Sequence, residues 1–274
     1  MATPSLTGSP PSPPPRPQLS VLWRVLSVPM LAFLSLPLLA LFLRISPARL
    51  IANLSEPYVL QAIALSLATT VVTTLIIILG GTPVAYSLAR RQFRFRRAID
   101  TLIDLPIVLP PAVAGVALLM TFGRRGILGG LLDDLGIHIA FTPIAVILAQ
   151  VFIAAPFYIK SATVGFSSIE TELEQAASLD GASSFQVFRY VTIPLSWSSL
   201  LGGSVMSWAR ALGEFGATII FAGNFPGRTQ TMPLAIYIGF ELDLEIALTL
   251  SVILILFSFT ALIIAKGILR HEWI

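Results

Sequence analysis

Long uninterrupted runs of apolar residues alternate with short polar stretches along most of this chain. Runs of about twenty residues, enough for a helix to cross a bilayer, occur near 25–43, 60–82, 104–122, 143–163, 199–222 and 246–267. Helices facing lipid need show no amphipathic period, so the expectation rests on length. Backbone groups cannot stay unpaired in hydrocarbon, and a run this long satisfies them only as a helix. The pattern predicts an all-α integral membrane protein with six transmembrane helices in one domain, residues 21–274. Residues 1–20, rich in Pro and Ser with Arg16 as their one charge, bury too little apolar surface to offset ordering and are expected to form a disordered tail. Pro106, Pro110 and Pro111 in the third run are able to break a helix, and Pro156 stands in the fourth.

Composition supports the membrane reading. The chain is 55% hydrophobic and 11% charged, against roughly 25% charged in a soluble domain. It also removes most chemistry. Neither lysine, Lys160 or Lys266, follows a glycine, so the Gly-Lys-Ser/Thr of a phosphate-binding loop is missing. There is no cysteine for thiol chemistry, and two scattered histidines, His138 and His271, make no metal cluster. No catalytic constellation survives.

Charge then orients the spans. With the N-terminus cytoplasmic, the inner segments hold eleven basic residues: Arg16, Arg24, Arg90, Arg91, Arg94, Arg96, Arg97, Lys160, Arg189, Lys266 and Arg270. The outer segments hold five: Arg44, Arg49, Arg124, Arg125 and Arg228. Both termini are expected in the cytoplasm. The cluster Arg90–Arg97 reads as a topology signal that meets anionic lipid headgroups. No folded basic domain exists to bind nucleic acid.

One polar segment, residues 165–197, stands out between the fourth and fifth runs. Residues 169–179 favour helix, and Thr171 with Glu174 has the spacing of a capping box. Gly181 suits the left-handed residue that closes a helix. Ser183 or Ser184 is placed to cap a second short helix, and Pro194 to mark the turn back to the bilayer. The small side chains of Ala176, Ala177 and Ala182 allow another surface to approach, while Phe185 and Phe188, three apart, are expected on one face. An amphipathic hairpin lying on the membrane is the plain alternative.

The same segment, EQAASLDGASSFQVFRYVTIP over Glu174–Pro194, resembles the E-A-A-x3-G-x9-I-x-L-P signature of bacterial ABC import permeases. Aligned on Gly181, it matches through Ala176, Ala177 and Pro194, with Gln175 where the family has Glu, Val191 where it has Ile and Ile193 where it has Leu. Asp104–Gly126 and Ala209–Tyr237 are similar to the molybdate/tungstate branch, whose Ala209–Gly216 core the sulfate/thiosulfate branch shares. The resemblance implies a type I ABC importer permease fold, multi-pass in a bacterial inner membrane. It implies that Glu174, Gln175, Ala176, Ala177, Gly181, Ala182, Phe185 and Pro194 form the loop coupling to a partner ATPase dimer. It further implies no cofactor on this subunit (ATP and Mg belong to the ATPase), an extracytoplasmic oxyanion-binding protein, and a second copy of the chain. Molybdate or tungstate is the expected cargo. The alternatives are a sulfate permease and, in another class, an ion-coupled secondary transporter, for which Glu214 is the one carboxylate at membrane depth.

Arg210 and Glu214 lie inside the fifth run, where an unpaired charge costs at least about 2.5–3.5 kcal/mol. Two readings stay open: an Arg–Glu pair that sets helix packing, or an arginine lining the anion's path. Gly202, Gly203, Ser204, Ser207, Gly213 and Gly216 give this run a small-residue surface suited to close helix contact, including contact between two copies.

Overall fold

The computed structural model describes the backbone of residues 19–271 and the side-chain surroundings of residues 23–267. Residues 1–18 of the expected tail lie outside the described residues, and its last two, Leu19 and Ser20, belong to a helix. The described backbone is helical and carries no strand. The chain divides into two compact units, Met1–Arg44 and Ile45–Ile274. The first holds one apolar helix, α1 (Leu19–Arg44).

The second unit opens with the short α2 (Pro47–Leu54) and the long α3 (Pro57–Arg90). It continues through α4 (Arg96–Val108), α5 (Pro111–Phe122), α6 (Gly129–Asp134) and α7 (Pro143–Ser167). After α7 come α8 (Thr171–Leu179), α9 (Ser184–Val187), a π-helical turn over Phe188–Thr192, α10 (Ile193–Leu195) and α11 (Trp197–Leu212). The last elements are α12 (Gly216–Phe221), α13 (Met232–Leu242) and α14 (Leu244–His271). Among the described residues α1, α3, α7 and α14 are long and apolar enough to span a membrane, and α4 with α5 make a fifth if counted as one.

Two of the six expected spans are not continuous helices. The third bends by 116° between α4 and α5. Leu109 and Pro110 each precede a proline and are held extended, with ψ of 136° and 132°. Pro111 then starts α5 at the position where its missing N–H costs nothing. The fifth stops at Leu212 and restarts at Gly216, and neither piece reaches spanning length. Pro156, by contrast, is absorbed inside α7.

The centre of the fold is α7. Its Ala154, Tyr158, Ala162 and Phe166 are buried against α3 and α11, and its Ala145, Val146, Ala149 and Ile153 against α5 and α12. Helices gain little from apolar burial when lipid is the solvent, so small residues and polar bonds set their approach. A methyl at Gly81 would fall 2.9 Å from the Tyr158 ring, whose hydroxyl sits 2.6 Å from Thr82 Oγ1. Thr73 donates to Gln150 Oε1 at 2.9 Å, and Gln150 donates on to Thr69 at 3.3 Å. Part of the small-residue surface of α11 is spent inside the chain: a methyl at Gly203 would meet Ser161 at 2.7 Å, and Ser207 donates to the Ala154 carbonyl. Gly202 faces open space.

Candidate functional site

The polar hairpin between α7 and α11 is built from a chain reversal that its sequence dictates. α8 closes in a Schellman arrangement: the Ala182 amide donates to Ala177 O and the Gly181 amide to Ser178 O, both at 3.1 Å. Gly181 supplies the required left-handed residue, with φ of 93°. Ser183 then caps α9 in a reciprocal capping box with Gln186.

The start of α8 differs from expectation. Glu170 occupies the N-cap position and no side chain caps the helix. The Glu174 carboxylate is drawn away to stronger partners: Arg90 Nη2 lies 3.2 Å from it, and Thr192 donates to it at 2.7 Å. Both ionic partners are shielded, with side chains 15% and 14% exposed. Arg90 also donates to the Ile169 carbonyl at 3.1 Å. Arg90, counted in the sequence as one of a topology-setting run, is therefore the bolt that ties the hairpin to the end of α3.

Aromatic packing does the same on the other strand of the hairpin. Phe188 and Phe166 both meet the Tyr86 ring, at 5.1 and 5.6 Å. Phe185 and Phe188 consequently do not share a face: Phe188 turns inward, and Phe185 is 73% exposed. Nor does Pro194 reverse the chain. It sits at the second position of α10, and the helical path continues with one turn residue, Ser196, into α11.

Gln175, Ala176, Gly181 and Pro194 are exposed, and Ala177 and Ala182 half-buried. Leu179, Phe185 and Tyr190 also project outward, 89%, 73% and 72% exposed. Leu179 and Tyr190 were not singled out in the sequence, although large apolar side chains within a polar segment were a usable signal. A groove of about 500 Å³ runs beside them, lined by Tyr86, Glu174, Gln175, Leu179, Ser184 and Val187. Projecting apolar side chains beside a groove, on a hairpin held by an ion pair and an aromatic cluster, suit the docking of another protein.

The second candidate pair sits where α11 ends. Glu214 is 1% exposed and Arg210 33% exposed, with Arg210 Nη1 3.4 Å from Glu214 Oε2. Glu214 Oε1 accepts the Ala217 amide at 2.8 Å and so caps α12. Its Oε2 makes no hydrogen bond and is left to the charge of Arg210. The break in the fifth run is thus organised by the residue that the sequence marked as out of place there. A methyl at Gly216 would fall 2.8 Å from Pro111, and one at Gly115 2.8 Å from the Ala217 carbonyl. These two glycines let α12 lie directly on α5.

The remaining expected loop residues have ordinary partners or none. Arg124 Nε and His138 Nδ1 approach Asp133, at 4.0 and 3.4 Å. No group of three or more His, Cys, Asp or Glu poised for a metal occurs among the described residues.

Comparison with known proteins agrees with this architecture. Residues 81–271 match the family described as "Binding-protein-dependent transport system inner membrane component". The chain is 40% identical over 225 residues to the molybdenum transport system permease protein of Mycobacterium tuberculosis, covering 82% of this chain and 85% of that one. It is 34% identical to the molybdate/tungstate transport system permease protein of Thermococcus kodakarensis, covering 81% and 85%. In fold it resembles a chain of a bacterial ABC transporter involved in the import of the acidic polysaccharide alginate, with TM-score 0.73, 16% identity and coverage of 92% and 95%.

Proposed function

The chain belongs to the family of binding-protein-dependent transport system inner membrane components, in its molybdate/tungstate branch, and on that premise we propose that it is the membrane-spanning subunit of an ATP-driven molybdate importer, with tungstate as a second cargo. It hydrolyses no ATP itself. A dimer of ATPase subunits holds ATP and Mg and seats against the hairpin; an extracytoplasmic binding protein delivers the oxyanion to two copies of this chain in the bacterial inner membrane. Both chain termini lie in the cytoplasm on this reading, and the broken third and fifth runs count among six passes.

The observation that carries the proposal is the hairpin. Leu179, Phe185 and Tyr190 project from a base bolted by Arg90 and Glu174, and the helical path from Ser184 leads on to Leu212, at the edge of the break held by Glu214. Measured along its contour, through the π-helical turn and Ser196, this path is roughly 40 Å long at about 1.5 Å per residue. A push on Phe185 is therefore delivered at the Arg210–Glu214 break, which lies against α5 and α7. Closure of the ATPases would in this way rock the helices between outward and inward access.

The test is uptake of labelled molybdate at nanomolar concentration in cells lacking their own high-affinity system. The cells express this chain with its ATPase and binding protein, with and without a large excess of sulfate. Uptake that requires an intact ATPase site and ignores sulfate is expected. Uptake abolished by sulfate would move the cargo to sulfate, and uptake indifferent to the ATPase site would sink ATP coupling.

A further inference from the structure

α4 carries no buried residue. Non-helical backbone bounds it on both sides, residues 91–95 before it and Leu109–Pro110 after it, and the second joint holds the 116° bend. Of its side chains Ile103 alone packs against the core between α3 and α7, while Leu102, Leu105 and Val108 are exposed. A helix with two flexible joints and so little burial opens more readily than its neighbours. What ties it to α7 is chiefly Lys160, which donates to Asp100 Oδ1 at 2.6 Å and to Asp104 Oδ2 at 2.9 Å. The two carboxylates stand four residues apart on one helical face, so one ammonium clamps both. All three side chains are between 33% and 50% exposed, and ion pairs this wet hold weakly.

The clamp also has a competitor. Arg96 and Arg97 precede Asp100 by four and three residues, the spacings at which side chains on a helix meet. Both line one cavity of about 660 Å³ together with Asp100 and Lys160. Among the described residues neither arginine has a carboxylate within 4 Å. When Lys160 lets go, Asp100 finds a replacement cation on its own helix and the half-exposed Asp104 is left to water. The two arrangements therefore differ little in energy, as a reversible contact requires. A permanent tie would be buried and would have no rival partner. Its position links the contact to the hairpin: Lys160 lies about two turns before Ser167, where α7 ends and the chain enters the hairpin.

We propose that Asp100, Asp104 and Lys160 form a latch that parts in each transport cycle and frees α4 to swing on its two joints, while α5 stays packed on α7 and α12. The inference takes from the proposed function only that an ATPase moves the hairpin. It does not depend on which ion is carried, so a failed molybdate assay leaves its own test intact.

The chain has no cysteine, so introduced thiols react without background. In the full chain assembled with its ATPase subunits, Asp100→Cys/Lys160→Cys is joined by a short bis-methanethiosulfonate linker, which dithiothreitol cleaves. ATP turnover should stop on linking and return on cleavage to the rate of the unlinked double variant. Turnover at that same rate in the linked complex would overturn the proposal. Lys160→Gln and Lys160→Arg are then compared by hydrogen exchange of the amides of residues 96–108. The Gln variant should open α4 about tenfold more often, as expected from the loss of two partly exposed pairs, with exchange in α5 and α7 unchanged. The Arg variant, which keeps the charge, should exchange as wild type does. Unchanged exchange of α4 in the Gln variant would show that the pairs hold nothing. Exchange raised equally in α4, α5 and α7 would make Lys160 a general support of the fold, and either result overturns the latch.

Discussion

Glu174 and Glu214 each face an arginine, yet they organise their surroundings in opposite ways. Glu174 reaches across the fold to Arg90 and Thr192, and joins three elements that are distant in sequence. Glu214 acts locally: it pairs with Arg210 one turn back and caps the helix that follows it. The first sits on a polar hairpin where partial shielding strengthens a pair without a large desolvation cost. The second is fully buried, where a lone charge is intolerable and the chain breaks its helix so that the carboxylate finds an amide. The comparison separates a carboxylate that positions a surface from one that makes an interruption of the span possible.

Removing the buried partner should have the largest effect. Glu214→Leu leaves Arg210 without its counter-charge and α12 without its cap, and should destabilise the chain by about 3–5 kcal/mol. Thermal unfolding of the purified protein in detergent checks this; Glu214→Gln, whose amide oxygen still accepts from Ala217, should lose clearly less. Equal melting of the Leu variant and wild type would mean the pair contributes nothing to the break. Gly115→Val comes next. Its side chain meets the Ala217 carbonyl and Ile220, and overpacking of this kind costs about 1–3 kcal/mol, read in the same assay.

Gly181→Val tests the hairpin without touching the core. A β-branched residue at φ of 93° costs about 1–2 kcal/mol, confined to the Schellman turn. The spans should insert normally while ATP hydrolysis runs without molybdate uptake; normal uptake would argue against the hairpin as the coupling element. The smallest effect is expected from the bolt itself. A double-mutant cycle of Arg90→Gln and Glu174→Gln should give a coupling of about 1 kcal/mol, visible as faster proteolysis between α8 and α9. Additive single effects would show that Phe188 on Tyr86 holds the hairpin unaided.

Much of this was legible before any coordinates. Four of the six apolar runs became uninterrupted helices, because length alone decides the matter in lipid. The hairpin was legible through Gly181 and Ser183, since left-handed backbone and N-caps are local requirements that few residues meet. The prolines of the third run pointed to its break, though not to a bend of 116°. The inward packing of Phe188 was hidden, because its partners Tyr86 and Phe166 come from α3 and α7, far away in the chain. Arg90 was hidden among four neighbouring arginines of the same type, and nothing local distinguishes the one that meets Glu174.

What the chain's own sequence determined is the class of molecule, the placement of its apolar runs, the reversal at Gly181, and the absence of a phosphate loop or thiol chemistry. These follow from hydropathy, backbone conformational limits and residue inventory, which act over a few neighbours. Only the tertiary structure decided that Glu174 is spent on Arg90, that the fifth run is broken as well as the third, and that α12 lies on α5 through Gly115 and Gly216. Those outcomes depend on pairs of residues brought together from distant parts of the chain, where burial raises the stakes of every unpaired polar group. A single residue type, read in isolation, carries no record of its partner.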